Sequence, residues 1–164
     1  MALPNKILPG FSASLYAQPS ATPTALTLSQ LSTLASVAAI AISGNLVAVE
    51  AIPAFGQDDA VASFTVAGSR QSDKIPAQSA PTSLTISAAW NPSDAVLLLV
   101  RGDAYSGIVD RTYVVAASDG TNIIYYAFNA RASQWQVDSQ PGAESKVTFT
   151  LHPRGNLYGW SNNA

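Results

Sequence analysis

The chain predicts a mainly β fold, a β-sandwich or barrel with one short flanking α-helix, and three observations predict it. Residues 83–90 and 146–152 alternate apolar and polar side chains at the period of two that a half-buried strand requires. Asp119-Gly120, set between two apolar runs, is a residue pair suited to a tight two-residue hairpin turn. Asn91-Pro92-Ser93-Asp94 is the best helix start in the chain, with a capping side chain, a proline for the first turn and an acid that complements the helix dipole.

The elements follow in order. Residues 1–10 carry Pro4 and Pro9 and read as an extended N-terminal arm. Residues 11–18 have strand character, with Phe11, Ala13, Leu15 and Ala17 on one face. Residues 27–39 are ambiguous: Leu28, Leu31, Leu34 and Ala35 have helical spacing, whereas the run from Ser36 to Ile42 suits a buried strand. An irregular turn near 29–33 followed by a strand over 34–43 is the reading taken. Gly44-Asn45 then punctuates, and Leu46 begins another strand. Asp58-Asp59 reads as a turn before a strand at 61–66.

Residues 68–81 are polar, contain two prolines and lack apolar periodicity, so they read as a long polar loop of a length that is usually functional or disordered. The helix is expected over 92–101, stopped by Gly102. Strands at 111–118 and 121–129 flank Asp119-Gly120, and both faces of that hairpin are apolar. Such a hairpin sits inside a sandwich, under a helix or against another chain. Strands at 134–138 and 146–152 close the fold, leaving residues 153–164 as a Gly- and Asn-rich C-terminal tail in which Tyr158 and Trp160 are candidate anchors on a neighbour.

At 164 residues the chain fits a single domain. Only 11% of its residues are charged, against about 25% in a typical soluble domain. A surface this poor in charge is either solvated by Ser, Thr, Asn and Gln or buried against other subunits. The eight cations are scattered singly and the net charge is −2, which disfavours a phosphate-binding stripe. The absence of cysteine excludes disulfides and thiolate chemistry. The apolar stretch at 34–52 is too interrupted for a membrane span, and the N-terminus lacks the order of a signal peptide. The chain is expected to be made in the cytoplasm.

Catalytic patterns are sparse. His152 is the single histidine, so no zinc cluster of the usual kind and no second base exists. No nucleophile elbow is present. Asp58 and Asp59 are adjacent and would point to opposite faces of a strand. Arg101-Gly102-Asp103 reads as a helix stop. The aromatics Tyr113, Tyr125, Tyr126, Phe128 and Trp135 suit core or interface packing, with a sugar-binding platform as the lesser alternative.

The order of these elements resembles that of the major tail tube proteins of long-tailed bacteriophages. An arm and strands are followed by the polar loop at 68–81, then by a strand ending in Trp90 that leads through Asn91-Pro92 into one short helix. The Asp119-Gly120 hairpin and the strand Val147-x-Phe149-x-Leu151 come last. The resemblance covers roughly residues 34–153 and extends to the tube protein of type VI secretion, which shares the fold. It implies a non-enzymatic virion protein without cofactors, assembled as homohexameric rings stacked into a tube.

DNA would pass through the lumen without specific binding, and tape-measure and tip or terminator proteins would be further partners. On this implication Arg70, Asp73 and Lys74 of the loop contact the next ring. Glu50, Asp58, Asp59 and Asp138 are candidate lumen-facing acids, and Tyr113, Tyr125, Tyr126, Tyr158 and Trp160 are candidate interface residues. Another β virion component, such as a tail terminator or head-decoration protein, and a carbohydrate-binding module are the alternatives.

Overall fold

Seven antiparallel strands form one sheet whose two edges come from the same short segment of chain, so the sheet nearly closes into a barrel. The structure, a computed structural model, describes residues 12–65, 72–118, 121–139 and 141–163. The 1–10 arm, Arg70 and the Asp119-Gly120 turn lie outside the described residues. In chain order the elements are β1 (Ser12–Ala17), α1 (Leu28–Leu31), α2 (Leu34–Ala38), β2 (Leu46–Val47), β3 (Val49–Ala51), β4 (Gln57–Thr65), β5 (Ser72–Pro81), β6 (Leu84–Ala89), α3 (Ala95–Ser106), β7 (Arg111–Ser118), β8 (Asn122–Asp138) and β9 (Lys146–Asn163).

The large sheet runs β2-β1-β7-β8-β9-β6-β3. Leu15 pairs with Val47 on one edge, Val49 pairs with Ala88 on the other, and the Ala89 amide donates to the Ala48 carbonyl at 2.9 Å. Residues 46–51 therefore act as the hoop that joins both edges.

Alternation fills the interior. Leu15, Leu84, Ile86, Tyr113, Val115, Phe128, Val147, Phe149 and Leu151 point inward and are almost wholly buried, and Val96, Leu97 and Val100 of α3 pack on them. Each buried aliphatic or aromatic side chain contributes about 1.5–3 kcal/mol. Trp135 adds specific geometry, edge-on to Trp90 at 5.6 Å and stacked on Phe149 at 5.7 Å. The other face of β7–β8 forms a second core: Val114, Ala116, Tyr125 and Ala127 are covered by Leu31, Val37 and Ile40. Through Tyr113–Ala116 and through Tyr125, Ala127 and Phe128 the hairpin is buried on both faces within its own chain.

That cover explains why residues 34–43 are not a strand. Alanine-rich sequence suits a helix, and Leu31, Val37 and Ile40 reach the outer face of β7–β8 from one side of a short helical path. A polar clamp fixes its entry. Thr112 Oγ1 accepts from the Leu26 amide at 3.0 Å and donates to Asn129 Oδ1 at 2.7 Å, while Asn129 Nδ2 donates to the Leu26 carbonyl at 2.9 Å.

Other boundaries move for local reasons. Residues 72–81 of the expected polar loop are strand β5, paired with β4 in a separate two-stranded sheet. A ribbon outside the main core needs no apolar alternation, which is why the pattern hid it. Asp58-Asp59 lies inside β4 rather than in a turn. Residues 153–163 of the expected tail belong to β9, because β8 continues opposite them. On β7–β8 Ser118 pairs with Ile123, two residues further along β8 than a two-residue turn at 119–120 would place its partner. The shift is even, and every side chain keeps its face.

The helix is not 92–101. Asp94 caps it, accepting from the amides of Val96 and Leu97 at 2.9 and 3.2 Å. It runs through Gly102 and ends at Gly107, whose φ of 67° is the left-handed conformation glycine tolerates best. An interior glycine costs roughly 0.5–1 kcal/mol relative to alanine. The extra turn carries Asp103 to Arg111.

Asp103 and Arg111 form a buried ion pair, with side chains 7% and 1% exposed. The Arg111 guanidinium donates through Nε and Nη2 to both carboxylate oxygens, and through Nη1 to the carbonyls of Gln18 and Ser20. One side chain thereby ties α3, the start of β7 and the exit of β1. Removing one member of a buried pair typically costs about 3–5 kcal/mol. Asp103→Ala is expected to lose stability of that order in urea melts, and the double variant Arg111→Met/Asp103→Leu is expected to lose less than the single one. A single variant within about 1 kcal/mol of the parent contradicts this role.

Candidate assembly surfaces

The β8–β9 ribbon is longer than either set of neighbours. Beside β8, β7 covers residues 123–130. Beside β9, β6 covers only 146–151. Among the described residues, positions 153–163 of β9 therefore pair with β8 on one side and with no strand on the other. At the opposite flank β2 covers only Leu15 and Tyr16 of β1. Among the described residues the upper part of the sheet is thus a four-stranded panel, β1-β7-β8-β9, with no strand paired outside residues 12–14 of β1 or 153–163 of β9, the latter touched by β5 without ladder pairing.

Proteins that remain monomeric protect such edges with charge, proline or bulges. After Arg154, residues 155–163 contain no charged residue and no proline. The edge carries neither of the first two protections. The β4–β5 ribbon is a second projecting feature. Its nine-residue strand β4 spans roughly 30 Å at about 3.4 Å per residue, and an isolated two-stranded ribbon is marginally stable by itself.

The expected site residues fall in different places. Tyr113 is fully buried and stacks on Phe128 at 6.2 Å, and Tyr125 is 8% exposed beneath α1 and α2. Both are buried within their own chain, Tyr113 in the barrel core and Tyr125 between the outer face of the sheet and the two short helices. Tyr126 is half-buried, edge-on to Phe55 at 5.2 Å. Tyr158 and Trp160 stand on β9 opposite Ala127 and Tyr125, on the open-edged strand.

Glu50 on β3 is ion-paired with Lys146, and Asp138 ends β8 opposite Lys146. The hydrogen bond to Glu50 is the main cause that raises the Lys146 pKa, with Glu144 and Asp138 adding to it. These acids share the far end of the ribbon, away from the panel. Asp58 is exposed on β4 opposite Ala80, and Asp59 follows it. Asp73 and Lys74 lie on β5 opposite Phe64 and Ser63.

Sequence reading missed the open β9 edge and the Arg111–Asp103 pair. The edge had one signal, the charge-free run 155–163. The ion pair had one as well, the only acid in the helix.

Catalytic geometry is not assembled around His152. Its Nδ1 lies 3.0 Å from Ser83 Oγ and its Nε2 lies 2.7 Å from Ser133 Oγ. A hydroxyl occupies the place where a triad needs a carboxylate, and the ring on β9 bridges Ser83, just before β6, and Ser133 on β8. Asp110 pairs with Arg131 and Arg154 at 2.7 and 3.1 Å. Among the described residues no group of three metal-ligating side chains occurs, and no helix is long and apolar enough to cross a membrane.

No protein-family model and no curated protein sequence matches the chain. Solved structures do match in fold. A chain of the anti-feeding prophage baseplate aligns over 98% of this chain and 97% of its own at 12% identity and a TM-score of 0.62. A chain of the sheath–tube complex of an extracellular contractile injection system, PVC, in its extended state covers 96% and 94% at 12% identity, with a TM-score of 0.58. The SPP1 tail tube covers 93% of this chain and 77% of its own at 12% identity, with a TM-score of 0.54. The chain therefore has the fold of phage tail tube and contractile injection system tube proteins.

Tyr113 supplies a test of how closed the core is. Burial, and secondarily Asp103, raises its phenol pKa well above the ordinary value, and its hydroxyl has no hydrogen-bond partner among the described residues. The folded chain keeps the neutral phenol where the unfolded chain ionises it. The associated stability is full below about pH 10 and is lost as pH rises beyond it. Tyr113→Phe is expected to flatten that alkaline loss and to leave neutral stability unchanged or higher. An equal alkaline loss in both proteins contradicts this.

Proposed function

We propose that this chain is a non-catalytic tube subunit of a phage-type tail or injection particle. Copies join into homohexameric rings, and rings stack into a conduit through which DNA passes. The observation that carries the reading is the charge-free panel with an open edge at each flank. Joining the β9 edge of one copy to the β1 side of the next makes a head-to-tail contact that closes into a ring when the rotation closes. It also removes the exposed edges. The fold likeness over nearly the whole of both chains supports the same reading.

In this account the β4–β5 ribbon reaches the neighbouring ring, and Arg70, Asp73 and Lys74 make contact there. Residues 1–10 clasp an adjacent subunit. Tape-measure and terminator proteins bound the tube, and the site of action is the particle itself, after synthesis in the host cytoplasm.

Shortening the ribbon separates a stacking subunit from a terminator that forms a single ring. Replacing residues 59–79 with Asn-Gly is expected to leave the thermal midpoint of the barrel unchanged, because the ribbon is a sheet of its own. Electron micrographs, with a tip complex added as initiator, should show tubes for the parent and at most single rings for the variant. Tubes of normal length from the variant contradict the stacking role. A parent that stays monomeric in sedimentation and forms no rings overturns the proposal as a whole.

A further inference from the structure

At the end of the panel where β1 finishes and β7 begins, the surface holds an apolar groove of about 540 Å³, a size usual for binding pockets. One wall is the loop after β1, with Ala21, Pro23 and Ala25, and the other is the stretch between α3 and β7, with Ile108 and Val109. Ile108 is 74% exposed and Tyr105, in the last turn of α3, is 73% exposed; they are the two most exposed large apolar side chains among the described residues. Asp110 is the one charged residue lining the groove among the described residues, and Arg131 and Arg154 already hold its carboxylate. The lining therefore suits an apolar occupant.

The groove is held in shape by the chain itself. The Arg111 guanidinium donates to the Ser20 carbonyl at 2.8 Å, Gln18 Nε2 donates to the Thr24 carbonyl at 3.2 Å, and the clamp of Thr112 and Asn129 fixes Leu26. A wall pinned in this way loses little freedom when a segment docks on it. Its position relative to the N-terminal residues is equally fixed. The chain enters β1 at Ser12, opposite Ser118, and leaves it at Ala17, opposite Tyr113. The 6 residues of β1 span about 20 Å at about 3.4 Å per residue. Residues 1–11, which lie outside the described residues, adjoin the end of β1 away from the groove.

We infer that the groove receives residues 3–9 of a copy in the adjoining ring, an inference that rests on the tube reading above. That segment, Leu3-Pro4-Asn5-Lys6-Ile7-Leu8-Pro9, is apolar except at Asn5 and Lys6 and carries two prolines, a composition suited to lying extended in an apolar groove. Side-by-side joining of the β1 and β9 edges turns the strand ends toward the rings above and below. The end of one copy that bears the segment then meets the end of the next that bears the groove. At about 3.3–3.6 Å per residue, residues 1–11 reach up to about 40 Å, enough to cross that junction. The way back to the same copy's groove is obstructed. α1 and α2 cover one face of the sheet, the core fills the other, and β2 pairs on the β1 edge at Leu15 and Tyr16. Docking on the next copy links each ring to its neighbour and covers Ile108.

The chain has no cysteine, so Leu3→Cys with Thr22→Cys places one thiol on the segment and one on the groove wall. Ile7→Cys with Ala25→Cys is a second pair. Assembled tubes are oxidised and resolved on denaturing, non-reducing gels, and the linked peptides are identified by mass spectrometry. The inference expects segment-to-groove links that build a ladder running past six copies, because each copy holds the next along the stack. Links that stop at six copies place the segment on a neighbour in the same ring, and an intrachain link places it in its own groove. Either result overturns the inference, as does the absence of links from both pairs. Ile108→Asp, at an exposed position, should leave the thermal midpoint unchanged and slow the linkage about tenfold or more, at the limit leaving single rings; an unchanged rate also overturns the inference. Failure of the tube reading is distinguishable, since it shows in the micrograph as an absence of tubes before any oxidation.

Discussion

The Arg111–Asp103 ion pair is the contact on which the arrangement of the other elements depends. A guanidinium that is 1% exposed is stable only when its donors are satisfied, and here they are spent on one carboxylate and two carbonyls. Those partners belong to α3 and to the turn after β1. Helix length, the start of β7 and the direction of the chain toward α1 are all set at this point. From there β1 lies along β7 in register, and the hoop at residues 46–51 brings the far edge of the sheet around to meet it.

The barrel so formed leaves part of its sheet without a second edge. β8 and β9 are 17 and 18 residues long, whereas β6 and β7 are 6 and 8. The short strands protect opposite halves of the long ribbon, and α3 packs against β8. What remains is the panel, covered by helices on one face, free of charge on both, and open at its flanks. Low overall charge therefore has a location. It is concentrated where copies of the chain are proposed to meet.

Much of this was legible in the sequence where side-chain periodicity carries the information. The faces of β7 and β8 follow from alternation, and they survive a two-residue error in register because the period is two. Ser83–Trp90 and the Val147-Phe149-Leu151 strand were legible for the same reason. The stretch from Leu34 to Ile42 was not, since alanine and leucine suit a helix or a buried strand, and only the outer face of β7–β8 decides. Gly102 read as a stop because nothing local reveals the pull of Arg111 on Asp103. The β5 ribbon and the end of β9 lack apolar alternation, and their pairing comes from a partner strand distant in sequence. The candidate surfaces were the least legible part. An open edge is a property of register between strands, and single residues such as Tyr113 or Asp138 do not disclose which side of a sheet they serve.

Amide hydrogen exchange on the β9 edge tests the central claim most directly. In the monomer, the outward amides of residues 155–163 pair with no strand among the described residues and should exchange far faster than the inward amides bonded to β8. In assembled tubes those outward amides, together with the free amides of residues 12–14, should become protected. Tubes in which the β9 edge still exchanges at the monomer's rate would contradict edge pairing as the contact that builds the ring.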